Sequence, residues 1–79
     1  MNTLEEYNKI FMDVFGLSED ELNEELEMGK TKDWDSVGHV GLITSIEDIF
    51  DIMFETEDIL NFTSYEGGKE ILKKYGVTI

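Results

Sequence analysis

Trp34-Asp35-Ser36-Val37-Gly38-His39-Val40-Gly41-Leu42-Ile43-Thr44-Ser45-Ile46-Glu47-Asp48-Ile49-Phe50 is the stretch whose reading decides the fold. A polar loop ends here and an amphipathic helix begins, predicted from Ser36 to about Phe50. At about 100° per residue, Leu42, Ile43, Ile46, Ile49 and Phe50 share one face. Val37, Val40, Gly41, Thr44, Glu47, Asp48 and Asp51 share the other. One face is therefore built for a core. The opposite face sets two valines beside acids.

Working outward, the flanks also read as helical. Leu4, Tyr7, Phe11 and Val14 recur at helical period and predict a helix from about Leu4 to Phe15. Thr3 and Glu6 have capping-box spacing, and Gly16 fits a C-terminal stop. Residues 17–35 have poor periodicity. Ser18 and Glu21 suit the cap of one short turn. Leu22, Leu26 and Met28 are apolar anchors that would hold this long loop over the bundle. Thr56 is placed to cap a short helix through about Leu60. Thr63 and Glu66 again have capping-box spacing, and Tyr65, Ile71, Leu72 and Tyr75 form the stripe of a last helix ending at Gly76. The expectation is an all-α bundle of three longer helices and one short one, forming a single domain over residues 1–79. Phe11, Ile46, Phe50 and Leu72 are its expected core.

Composition narrows the function. The chain has 79 residues, with nineteen acids against six bases and a formal net charge of −13. From Asp33 to Gly68 there is no Lys or Arg, whereas nine acids occur. Phosphate repels such a surface, so nucleic acid is an unsuitable partner and basic protein surfaces are suitable ones. The lack of cysteine removes disulfides and thiolate chemistry. A single histidine makes no His-rich metal centre, and no twelve-residue calcium loop is present. No apolar run approaches a membrane span, and Met1-Asn2-Thr3-Leu4-Glu5-Glu6 is acidic where a secretory leader would be basic. The expected setting is the cytoplasm, the expected state a monomer.

Ser36 has two compatible readings. It is a natural N-cap, and it is a hydroxyl held at a helix start where backbone N–H groups favour a phosphodiester. Asp35 is either a first-turn acid suited to the helix dipole or a partner contact. Val37 and Val40 are either scattered surface apolars or a docking patch, and Glu47 and Asp48 are either solvated or in partner contact. His39 points to the core side about one turn from Ser36, so no Ser–His–Asp arrangement arises. It reads as a structural residue under the long loop, against Trp34.

Asp35-Ser36-Val37 resembles the Asp-Ser-Leu signature of acyl carrier proteins. The likeness extends over nearly the whole chain in length, acidity, long first loop, short third helix and final capped helix. Trp34-Asp35-Ser36-Val37-Gly38-His39 followed by Leu42-Ile43 is similar to the helix start of a set of stand-alone carriers. Val37 departs from the usual leucine, and Gly41 stands where many members have an acid. The resemblance implies a non-enzymatic carrier with covalent 4′-phosphopantetheine on Ser36, taken from coenzyme A. It implies Asp35, Val37, Val40, Glu47 and Asp48 as partner contacts, Asp35 lying near the magnesium ion of the phosphopantetheinyl transferase. The other implied partners are basic faces of acyl-transfer or condensing enzymes in fatty-acid, polyketide or related biosynthesis. An aminoacyl or peptidyl carrier loaded by an adenylating enzyme, and an unmodified acidic interaction module, are the alternatives.

Overall fold

The computed structural model describes residues 2–79; Met1, at the start of the expected domain, lies outside the described residues. Among the described residues four α-helices follow one another: α1 (Thr3–Phe15), α2 (Ser36–Phe50), α3 (Thr56–Asn61) and α4 (Tyr65–Lys74). A single 3-10 turn (Glu19–Glu21) interrupts the long loop, with the Ser18 N–H donating to the Glu21 carboxylate as the spacing predicts. Among the described residues there is no strand, only an isolated bridge between Glu27 and Ser64. None of the described helices is long and apolar enough to cross a membrane.

α2 runs from Ser36 to Phe50 as expected, but the capping residues stand one position away from those the spacing suggested. Asn2, not Thr3, caps α1, accepting the Glu5 N–H at 2.8 Å. Asp35, not Ser36, caps α2, accepting the Gly38 N–H at 2.9 Å. Ser64, not Thr63, caps α4, accepting the Gly67 N–H at 2.9 Å. Glu55, not Thr56, stands at the cap of α3, without a side-chain bond. In the first two cases a carboxylate or amide oxygen outcompetes the adjacent hydroxyl for the N3 donor. The stop of α1 is as predicted: Gly16 takes the left-handed conformation (φ 66°) and donates its N–H to Met12.

Phe11, Ile46 and Leu72 are fully buried core, as expected. Phe50 is only half-buried at its edge, and Ile49, expected inside, is 52% exposed. On α1 the buried residues are Tyr7, Ile10, Phe11 and Phe15, whereas Leu4 is exposed and Val14 is half-buried. The face is rotated toward the aromatic residues because they fill the space under the loop. Phe11 packs edge-on against Trp34 with centroids 5.4 Å apart, and Phe15 stacks on the same indole at 5.4 Å. Edge-to-face and offset rings add to the area they bury. The buried Tyr7 hydroxyl donates to the Tyr65 carbonyl at 2.7 Å. Burial, then the neighbouring Tyr65 and Glu66, raises its pKa far above the ordinary phenol value.

The long loop is tied down by backbone as well as anchors. The Met28 N–H donates to the Thr63 carbonyl and the Tyr65 N–H to the Leu26 carbonyl, each at 2.9 Å. Leu26 is buried, and Leu22 and Met28 pack against the core. These contacts carry residues 17–35 across the bundle to the start of α2.

Candidate functional site

Ser36 is the first residue of α2 and is exposed. Because Asp35 takes the capping role, no hydrogen bond of the protein engages the Ser36 hydroxyl among the described residues. The side chain thus stands at the positive end of a 15-residue helix with its oxygen free. A phosphodiester on that oxygen would lie at the N-terminal end of the helix, where the Asp35 carboxylate already holds the Gly38 N–H.

The segment that presents Ser36 is locked by a close approach of backbone. Asp33 adopts a left-handed conformation (φ 71°), which short Asx side chains tolerate. Its carbonyl is thereby turned onto Gly38. A Cβ at Gly38 would lie 1.9 Å from that oxygen and 3.1 Å from Phe15 Cε1. Gly38 is therefore required by the chain's own loop. Gly41 is different: a Cβ there would meet only Val14 Cγ1, at 4.0 Å.

His39 locks the other side. The Trp34 indole N–H donates to His39 Nδ1 at 3.0 Å, and His39 Nε2 lies 2.8 Å from the Ile59 carbonyl oxygen. An indole only donates, so Nδ1 must be bare and Nε2 carries the hydrogen toward Ile59. The buried imidazole thus joins loop, α2 and α3, and faces away from Ser36. The structural reading of His39 against Trp34 stands, with Ile59 as the partner that spacing did not reveal.

The outward face of α2 is close to expectation. Val37 is 82% exposed, and Val40, Gly41, Thr44 and Asp48 are exposed with it. Asp35 is exposed beside Ser36. Asp35, Asp48 and Asp51 form no ion pair among the described residues, because the lysines are elsewhere. Glu47 is the exception on this face. It is half-buried, and its carboxylate accepts the Phe54 N–H at 2.9 Å, which fastens the turn between α2 and α3.

Two exposed apolar side chains escaped the sequence reading: Leu60 (72% exposed) on α3 and Met53 in the turn before it. Hydropathy places Leu60 inside and Asp58 outside. The structure buries Asp58 instead, because the Lys74 ammonium donates to it at 2.7 Å and the Tyr75 hydroxyl donates to its other oxygen. Nothing local to residues 56–61 signals this; the donors come from α4. The hydrogen bond from Lys74, then that from Tyr75, holds the Asp58 carboxyl below the usual carboxylate range.

Comparison with family models, with curated proteins and with solved structures finds no match to this chain.

Proposed function

We propose that this protein is an acyl carrier: Ser36 bears 4′-phosphopantetheine and presents acyl groups to partner enzymes without catalysing their chemistry. The observation that carries the reading is the exposed, unengaged Ser36 hydroxyl at the first position of α2. Asp35 takes over the cap that would otherwise occupy it. The resemblance of Trp34-Asp35-Ser36-Val37-Gly38-His39 to carrier helix starts gives that geometry its chemical meaning.

The arm, when bound, ends in a thiol that holds its cargo as a thioester, supplying the sulfur that the polypeptide lacks. The chain's own residues do the rest. Asp35 fixes the helix start that aims Ser36 outward. Gly38 and His39 hold that start against loop, α1 and α3. Val37 and Val40 offer apolar contact next to the attachment point, and Asp35 and Asp48 offer negative charge to basic partners. Tethering raises the cargo's effective concentration at each docked enzyme. The phosphopantetheinyl transferase and the acyl-transfer or condensing enzymes are the partners of this reading, and the cytoplasm is its setting.

Intact mass after incubation with coenzyme A and a broad-specificity transferase tests it. The expected gain is about 340 Da, one phosphopantetheine. Ser36→Ala should show no gain while its melting changes by no more than about 0.5 kcal/mol, since Ser36 is not the cap. Labelling of Ser36→Ala would sink the assignment. Absence of any gain in the unaltered protein would instead favour an unmodified acidic module.

A further inference from the structure

We propose that the groove between α1 and α2, on the far side of α2 from Ser36, docks a basic amphipathic helix of a partner protein. Two adjoining hollows, of 170 and 210 Å³, make up this groove and share Ile10, Asp13 and Ile49 as lining. Ile10 is buried, Val14 is half-buried and Ile49 is 52% exposed. By itself Ile49 would be an ordinary surface apolar. Together with Ile10 and Val14 it lines an apolar trough, with Ser45 beside it. At about 100° per residue, Ser45 lies half a turn around α2 from Ser36, and Ile49 half a turn from Val40. The trough is therefore a different surface from the Val37 and Val40 face, and the inference does not depend on what Ser36 bears.

The charges around the trough select the occupant. Glu6, Asp13 and Asp48 line it together with Lys9. Lys9 lies 3.9 Å from Asp13, an exposed pair of little strength. Glu6 and Asp48 form no ion pair among the described residues. An apolar trough with an acidic rim fits a helix that carries leucine-like residues along one face and Lys or Arg beside them. The apolar side chains would cover Ile10 and Ile49, and the cations would reach Glu6, Asp13 and Asp48. A second copy of this chain would instead bring one net charge of −13 against another, with acids facing acids. A free acyl chain would cover the apolar walls and leave the rim unanswered. Covering Ile49 supplies contact energy, whereas the rim sets the choice of partner and the rate of encounter.

The test titrates the full chain with a synthetic amphipathic peptide, leucines along one face and lysines on its flanks, and follows the amide NMR signals. Signals of Ile10, Val14, Ser45 and Ile49 should move, and the same peptide with serine for leucine should leave them in place. Ile49→Ser should weaken binding about tenfold. Asp13→Lys, which alters only exposed charge, should weaken it in low salt and much less in high salt. Melting of both variants controls for the fold; if Ile49→Ser is unstable, the signal map and Asp13→Lys decide. Movement confined to Val37, Val40 and Leu60 would overturn the inference, as would equal binding of the serine peptide. Groove signals that shift with protein concentration in the absence of peptide would assign the trough to a second copy. Groove signals that move with decanoate and not with the peptide would assign it to an apolar chain. Either of these outcomes would also overturn the inference, and none of them bears on the loading of Ser36.

Discussion

The inward and outward faces of α2 are set by different constraints. Inward, four positions are determined: Gly38 by the Asp33 carbonyl, His39 by two hydrogen bonds, Leu42 and Ile46 by complete burial. Outward, Val37, Val40, Gly41 and Thr44 are exposed, and a Cβ at Gly41 would meet a single distant methyl. The same helix therefore combines a face whose residues answer to the fold with a face free to answer to a partner. The comparison teaches that two glycines three residues apart, alike to any propensity scale, have different causes.

The largest effect should come from the inward side. Trp34→Ala removes the indole that stacks on Phe15, meets Phe11 edge-on and donates to His39. A loss of about 3–5 kcal/mol is expected in chemical denaturation. A loss near 1 kcal/mol would mean that the loop does not depend on this side chain. Gly38→Ala should cost about 1–3 kcal/mol, because the carbonyl of Asp33 must move. If it proves neutral, the close approach that distinguishes the two faces is wrong.

Gly41→Ala should do the opposite and raise stability by up to about 1 kcal/mol, through helix propensity alone. Slower loading of that variant, with stability raised, would show that a partner needs the bare backbone there. On the outward face, Asp48→Lys should slow transferase association in low salt and leave melting nearly unchanged. Glu47 is unsuited to this comparison because its carboxylate holds the Phe54 N–H. A Glu47 change would alter the turn as well as the charge.

The smallest effect is a drift with pH. Asp58 has a folded pKa below its unfolded one, so its contribution is present above the ordinary carboxylate range and fades as pH falls through it. Lys74, raised chiefly by the hydrogen bond to Asp58, loses its share only when pH rises past the ordinary lysine value. Against this, acidification relieves repulsion among the nineteen acids. Melting temperature should therefore first rise from neutral pH and then fall. Measured beside Asp58→Asn, the unaltered protein should lead at neutral pH, and that lead should shrink as Asp58 protonates. A constant gap would show that the charge on Asp58 adds nothing to the Lys74 and Tyr75 contacts.

Chain sequence by itself determined the four helices, the long intervening loop and the outward face of α2. Those follow from local periodicity, glycine stops and the run without cations, all of which are properties of neighbouring residues. It also placed Ser36 at the helix start and His39 against Trp34. The exact caps needed the structure, since adjacent Asp35 and Ser36, or Thr63 and Ser64, are both able to cap. Only the tertiary structure decided that Asp58 is buried and Leu60 exposed, that Ile59 anchors His39, that Glu47 fastens a turn, and that Gly38 is required while Gly41 is not. Each of these depends on a group brought close from another element: Lys74 and Tyr75 of α4, a carbonyl of α3, the Phe54 N–H beyond α2, the carbonyl of Asp33 in the loop. Hydrogen-bond partners and steric limits are properties of pairs in space. Periodicity along one helix carries no record of them.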